Sequence, residues 1–168
     1  MKSKKVNRRG YTLIELLVVI TVFSVVSVIA TQTIVSILRA AKKSEAVTSV
    51  RQNLDYAIGS MERQVRLAKK ITSACDGTAK PSITFDDQSG NSVTFNCINV
   101  NQSNGPSSIA SSSASLTSDF ITLSACSFTC TPGTTTTPPS VLISVTGGDI
   151  AGQGQKVTVT TQVTLRTY

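Results

Sequence analysis

The stretch that decides the fold is LLVVITVFSVVSVIA at Leu16–Ala30, the densest part of a run without charged residues that extends to Leu38. A helix rises 1.5 Å per residue, so Leu16–Leu38 reaches roughly 34 Å, and a bilayer core is about 30 Å thick. The run therefore predicts a membrane-spanning helix. Five cations precede this helix, at Lys2, Lys4, Lys5, Arg8 and Arg9. The positive-inside rule then keeps the N-terminus in the cytoplasm and exports everything after Arg39.

Composition excludes most enzyme designs. The chain has 168 residues and a net charge of +7, with no His and no Trp, which allows one modest domain and an appendage. Without the five N-terminal cations, 11 cations face 9 anions, so the positive charge is concentrated at one end. The absence of His removes Ser-His-Asp and Cys-His catalysis and His-ligated metals. We therefore expect no enzyme activity, no cofactor and no resident metal.

The helix is predicted to continue beyond the apolar run, because no proline occurs before Pro81. Apolar residues then recur at intervals of three and four, which is the stripe of an amphipathic helix. The stripe comprises Val47, Val50, Leu54, Ile58, Met61, Val65, Ala68 and Ile71. We expect one helix from about Thr12 to about Ser73, softly broken, if anywhere, at Gly59.

Alternation of apolar and polar residues after this helix predicts β-strands. SITF at Ser82–Phe85 and SVTFNCI at Ser92–Ile98 flank the turn-forming DDQSGN at Asp86–Asn91, which indicates a hairpin. Further strands are predicted at Phe120–Ala125, Val141–Thr146 and Lys156–Arg166, with loops at Asn99–Ser118 and Thr131–Ser140. The expected fold class is α+β, a long N-terminal helix packed on one small antiparallel sheet of four or five strands.

RGYTLIELL at Arg9–Leu17 joins the basic start to the apolar run and contains the carboxylate of Glu15. Insertion scales assign about 2.5 to 3.5 kcal/mol to an ionised group at a bilayer centre, so Glu15 needs a partner or a specific role. The order of a cation, Gly, an aromatic residue, Thr, Leu, any residue, Glu and an apolar run resembles the processing site of type IV prepilins and of type II secretion pseudopilins. The likeness in architecture, helix followed by a small β head with cysteines, covers the whole chain.

The resemblance implies how the N-terminus is processed. In this family a membrane-embedded aspartyl peptidase cuts after the glycine on the cytoplasmic side and N-methylates the new first residue. The match places the cut between Gly10 and Tyr11, where the family most often has Phe after the cut. It also implies that Glu15 pairs with the N-terminal amine of a neighbouring subunit during assembly.

The function implied is that of a structural subunit in a type IV pilus or a type II secretion-type pseudopilus. Its partners would be prepilin peptidase, other pilin or pseudopilin subunits, the assembly machinery and the membrane. RQVR at Arg63–Arg66 and the closing TTQVTLR faintly resemble minor pilins. The expected location is a single-pass cell membrane with an exported head, followed by an extracellular or periplasmic filament.

Two other fates of the N-terminus stay open. Val28-Ile29-Ala30 resembles a signal peptidase site, and a cut after Ala30 would release a soluble protein, although Glu15 interrupts the apolar segment and the apolar run continues past Ala30. An uncleaved chain would remain a static anchor. Either fate would give a membrane-anchored or secreted extracellular binding domain that does not polymerise.

All four cysteines lie on the side predicted to be exported, where disulfides persist. Their order suggests Cys75 with Cys97 and Cys126 with Cys130, while four cysteines allow three pairings. A zinc site built from all four is the alternative, but the C-x3-C spacing has no second matching pair.

Six cations could also attract DNA phosphates, but the few aromatic residues among them favour simple solvation of the helix. These cations are Arg51, Arg63, Arg66, Lys69, Lys70 and Lys80.

The expected organisation is a leader at 1–10, a transmembrane and assembly helix at 11–38, an amphipathic continuation at 39–73 and a β head with Ser/Thr-rich loops at 74–168.

Overall fold

A computed structural model describes residues 10–100, 107–112, 114–150 and 156–165. The chain divides into two compact units, one up to Ala41 and one from Lys42 onward. The predicted leader lies outside the described residues except for Gly10.

The helix α1 runs without interruption from Leu13 to Arg66, over 54 residues. It passes unbroken through Gly59, the one position that the sequence analysis named for a soft break if any occurs, and it ends before Ser73, so the predicted end was wrong. Beyond Arg66 the turn tightens, with the Ala68 N–H donating to the Val65 carbonyl at 3.1 Å. The Lys69 N–H then donates to the Asp86 carbonyl at 2.8 Å, and this sheet bond replaces a helical one.

The strands form two antiparallel sheets rather than the single sheet expected. In chain order they are β1 (Lys70–Ile71), β2 (Ala79–Lys80), β3 (Ser82–Asp86), β4 (Ser92–Ile98), β5 (Ser108–Ser111), β6 (Ala114–Ser115), β7 (Ile121–Thr131), β8 (Ser140–Asp149) and β9 (Val157–Thr164). One sheet has the order β1-β3-β4-β5-β6 and the other β2-β7-β8-β9. Strands β5 and β6 lie in the segment Asn99–Ser118, which was predicted to be a loop. They were not predicted because strands of four and two residues are too short to show a clear alternation of apolar and polar residues.

The predicted hairpin of β3 and β4 is confirmed. Asp87 begins its turn, and the Asn91 N–H donates to the Asp87 carboxylate at 2.8 Å. This backbone donation holds the pKa of Asp87 below its usual value. Gly90 takes a φ of +84°, a conformation that favours glycine.

One apolar core joins the second half of α1 to both sheets. The helix contributes the predicted stripe, with Val50, Leu54, Ile58, Met61 and Val65 all buried. The sheets contribute Ile83, Phe85, Phe95, Ile109, Ile121, Leu123, Phe128, Val141, Ile143, Val145 and Val163. Because these side chains form a single cluster, the helix stripe covers the inner faces of two sheets at once.

The disulfides connect Cys75 with Cys130 and Cys97 with Cys126, so the pairing expected from chain order was wrong. The reason is the length of β7, which contains both Cys126 and Cys130. Four residues of strand separate Cα atoms by roughly 13 Å, whereas a disulfide requires less than about 7 Å. With all four thiols bonded, no cysteine is left for the alternative zinc site.

The loop that carries Cys75 is organised around Asp76. Its carboxylate accepts bonds from the Thr78 hydroxyl at 2.6 Å, the Thr78 N–H at 3.0 Å and the Lys80 ammonium at 2.9 Å. These donors, led by the Thr78 hydroxyl, hold the pKa of Asp76 well below its usual value. The Lys80 ammonium also donates to the Ala74 carbonyl at 2.9 Å, which closes the loop beside Cys75.

We predict that pepsin peptides of the unreduced protein will join Cys75 to Cys130 and Cys97 to Cys126. Pepsin must cleave next to Phe128, because Phe128 is the only aromatic residue between Cys126 and Cys130 and cleavage there places these two cysteines in different peptides. The double variant Cys97→Ala, Cys126→Ala should lower the free energy of unfolding by roughly 2–4 kcal/mol, measured by denaturant titration in detergent. A peptide joining Cys126 to Cys130 would contradict the pairing.

The Asp76 carboxylate should titrate below its usual range, and Thr78→Val should raise its pKa by removing the leading donor. A pKa lowered by folding means that the ionised form stabilises the loop above the unfolded-state pKa. That stabilisation is lost as the pH falls through the folded-state pKa. Carboxyl NMR of the two proteins provides the measurement, with Thr136→Val as a threonine control in another loop. An Asp76 titration unchanged by Thr78→Val would contradict the assignment.

Candidate processing and assembly segment

The start of α1 is capped by Thr12. Its hydroxyl accepts a bond from the Glu15 N–H at 3.4 Å, and its carbonyl accepts the first helical bond from the Leu16 N–H at 3.2 Å. Thr12-Leu13-Ile14-Glu15 has the T-x-x-E order of a capping box, in which a threonine at the N-cap precedes a glutamate three residues later. Glu15 also lies in the first helical turn, where the positive end of the helix dipole favours a carboxylate.

The first half of α1 exposes apolar side chains on all sides. From Leu13 to Leu38 every large apolar side chain is exposed, from Leu13 at 77 % to Val35 at 40 %. The helix is the one described element long and apolar enough to cross a membrane. Since no described part of the chain buries this surface, the segment requires an apolar environment from outside: lipid or other apolar helices.

Four hydroxyl groups within this segment bond to the helix itself. A bond to a carbonyl three or four residues earlier satisfies a hydroxyl where no water is present. The hydroxyls bond as Thr21 to Val18 at 2.8 Å, Ser24 to Ile20 at 2.8 Å, Thr31 to Ser27 at 2.8 Å and Thr33 to Ile29 at 2.9 Å. These residues therefore do not oppose burial of the segment.

The structure brings three of the sequence-predicted site residues together at the start of α1. Gly10 and Tyr11 immediately precede the capped turn, and the Tyr11 side chain is 84 % exposed. A Cβ added to Gly10 would meet no atom within 4 Å. Glu15 makes no ion pair with any residue in the described ranges. The cysteines, by contrast, belong to the second unit and serve its packing.

Thr12 is the residue of this segment whose role the sequence analysis missed. The signal was present as a threonine three residues before Glu15 at the start of an apolar run. The backbone N–H of Glu15 is the group that the Thr12 hydroxyl caps. Glu15 therefore occupies a position with a local structural role as well as the one implied by the family resemblance.

Two of the six cations that could attract DNA phosphates form ion pairs along the helix. Arg51 lies 3.8 Å from the Asp55 carboxylate, and Arg66 pairs with Glu62. Both are i, i+4 pairs on an exposed face, a common arrangement on solvated helices. Among the described residues, no group of three or more Cys, Asp or Glu side chains is placed to hold a metal.

Comparison with known families identifies the N-terminal segment. Residues 5–31 match the prokaryotic N-terminal methylation motif. The matched range contains the Gly10-Tyr11 junction, Glu15 and the first half of the apolar run. No curated protein and no solved structure matches the chain significantly.

The fold and this segment together define an α+β protein with one membrane-capable N-terminal helix and an antiparallel β head. The methylation motif is matched over residues 5–31, and this match agrees with the resemblance of the N-terminal segment to type IV prepilins. The apolar helix and the motif also fit anchoring in a membrane.

Proposed function

We propose that this chain is a structural subunit of a type IV pilus or a type II secretion-type pseudopilus, and that it has no catalytic function. The observation that carries the proposal is the position of the methylation motif, which covers the start of a helix whose apolar surface is exposed on every side. Such a helix is stable in lipid, and it is equally stable among copies of itself. The same surface therefore serves a membrane pool and a filament core.

The proposed processing removes the basic leader between Gly10 and Tyr11, with prepilin peptidase acting on the cytoplasmic side and methylating the Tyr11 amine. The exposed, open backbone at this junction suits access by a peptidase. The cut removes five cations that anchor the N-terminus at the cytoplasmic face. Extraction from the membrane then becomes less costly, while the apolar helix is retained.

The proposed assembly residue is Glu15. Processing creates an α-amino group about four residues away, and such groups are largely protonated at neutral pH. A carboxylate and an amine at one helix end can pair within a subunit or between neighbours. A buried pair of this kind selects the register of packed helices more than it adds stability. The energy of extraction would come from an assembly ATPase elsewhere, since this chain has no phosphate-binding G-x4-G-K-[ST] loop.

The first experiment determines the N-terminus of the protein in membranes and in sheared surface fractions of the native host. We expect N-methylated Tyr11 as the first residue in both fractions. Gly10→Val should leave the intact Met1 form in the membrane, because the peptidase of the resembled family cuts after a glycine. A Cβ at this position meets no atom within 4 Å, so we expect the described fold to tolerate the change. Leu13→Val is the matched control and should be processed. A mature protein starting at Thr31 would indicate signal peptidase and a secreted binding domain, and a start at Met1 would indicate a static anchor.

The second experiment separates the two roles of Glu15. Glu15→Leu should insert and be processed normally but be lost from sheared filaments, because the charged partner of the amine is removed. Thr12→Val removes the cap bond and keeps the carboxylate, at a cost of about 1 kcal/mol in helix stability. Glu45→Leu, later on the same helix, is the charge control. The measurement is the ratio of sheared to membrane protein for each variant. Normal recovery of Glu15→Leu in filaments, or equal loss of Thr12→Val, would contradict an assembly role.

A further inference from the structure

The two disulfides of the head are nested in the sequence. Cys75 pairs with Cys130 across a separation of 55 residues, and Cys97 pairs with Cys126 across a separation of 29 within that loop. Cysteines that follow each other in the chain are therefore not partners in the fold. Cys75 and Cys97 are 22 residues apart, and Cys126 and Cys130 are only 4 apart.

In the unfolded chain, loop closure favours the wrong pairs. The free energy of closing a loop of n residues rises as about (3/2)RT ln n, so Cys75 would meet Cys97 about four times as often as it meets Cys130. Cys126 lies much closer in sequence to Cys130 than to Cys97, so it favours the wrong partner as well. Oxidation before folding therefore joins Cys75 to Cys97 and leaves Cys126 with Cys130.

The predicted order of export favours the same outcome. With a cytoplasmic N-terminus, Cys75 and Cys97 would be the first thiols to reach the oxidising side of the membrane. Their native partners lie on β7, which pairs with β8, and β8 in turn pairs with β9 near the end of the chain. The first two thiols would therefore meet an oxidant before the strands that position their partners have been exported.

A bond between Cys126 and Cys130 is incompatible with the fold. Both residues lie in the part of β7 whose register with β8 is continuous. Four residues of strand hold their Cα atoms roughly 13 Å apart, which exceeds the limit of about 7 Å for a disulfide. Once Cys75 has paired with Cys97, these two thiols have no other partner in the chain. The head would then be unable to form β7 until both bonds are exchanged.

The native bonds, by contrast, are shielded. Cys130 is only 5 % exposed and belongs to the apolar core, and the other three cysteines are partly buried against that core. Exchange requires a thiolate to reach a disulfide sulfur, so burial slows it. The folded head is therefore the end point of exchange, while the wrong bonds of an unfolded chain stay open to attack.

We propose that this head matures through a partner on the exported side, a reduced protein thiol that acts as a disulfide isomerase. The partner's thiolate attacks the Cys75 sulfur, which forms a mixed disulfide and releases the Cys97 thiolate. That thiolate attacks the Cys126 sulfur, which forms the Cys97–Cys126 bond and releases the Cys130 thiolate. The Cys130 thiolate then attacks the mixed disulfide, which forms the Cys75–Cys130 bond and returns the partner's thiolate. Two chain disulfides are exchanged for two others, so the rearrangement needs no net oxidant.

Peptide mapping of the unreduced full-length protein tests this requirement. The protein is isolated from the membranes of two matched bacterial hosts, both with an exported thiol oxidase and one without its exported disulfide isomerase. In the host without the isomerase, native pairing should fall at least about four-fold, and peptides joining Cys75 to Cys97 and Cys126 to Cys130 should replace it. Purified reduced isomerase, added to that protein without an oxidant, should restore native pairing. Equal native pairing in the two hosts would overturn the proposal.

Two double variants are matched controls, because each can form only its native bond. Cys97→Ala, Cys126→Ala retains Cys75 and Cys130, and Cys75→Ala, Cys130→Ala retains Cys97 and Cys126. Both bonds should form equally in the two hosts, since no wrong pair exists to be exchanged. A bond that depends on the isomerase in either variant would show that the partner acts in some other way than by exchange, and would overturn the proposal. The proposal rests on export of the head and not on its processing or assembly, so its outcome is read separately from the N-terminus and from filament recovery.

Discussion

The head depends on the burial of one helix stripe against two sheets. Leu54, Met61 and Val65 are fully buried, and they belong to the same cluster as Phe95 and Ile143, which lie in different sheets. Neither sheet is large, and each buries its inner face on this shared stripe. Hydrogen bonds also join the helix to the chain just before β7. Asn53 on the helix donates to the Ser118 hydroxyl at 2.7 Å and accepts from the Ser118 N–H at 3.2 Å. The second half of α1 is therefore the element around which the strands are arranged.

The same helix meets a different requirement before Ala41. There the apolar residues occupy the whole circumference, and four hydroxyls donate to carbonyls of the helix itself. A helix with one apolar stripe is covered by packing against one neighbouring element, whereas a helix that is apolar on all sides requires apolar surroundings on all sides. This change in pattern along one continuous helix separates a half that stabilises the head from a half whose apolar surface no described residue covers.

Much of this architecture could be predicted from residue patterns, and the errors have physical causes. The helix stripe, the β3–β4 hairpin and the principal strands follow from periodicities of 3.6 and 2, which are local properties. The helix end was placed too late because the bond from Lys69 to Asp86 is made by tertiary structure. Two sheets were taken for one because strand order depends on contacts distant in sequence. The cysteine pairing failed for the same reason, once β7 proved long enough to hold Cys126 and Cys130 apart. At the candidate processing segment, Gly10, Tyr11 and Glu15 were recognisable from the motif, whereas the cap at Thr12 follows from the residue pattern of helix ends.

The Cys75–Cys130 bond has a mechanical consequence. It links a residue shortly after the end of α1 to the central strand β7 across a sequence separation of 55. A pulling force applied between the helix and the last strand would pass through this bond and bypass the intervening chain. An extended residue spans up to about 3.3–3.6 Å, so the disulfide prevents the chain between Cys75 and Cys130 from extending by on the order of 180 Å under load. Such a head would transmit tension as a short covalent link, and strands β3 to β6, which lie within the closed loop, would carry little of the load.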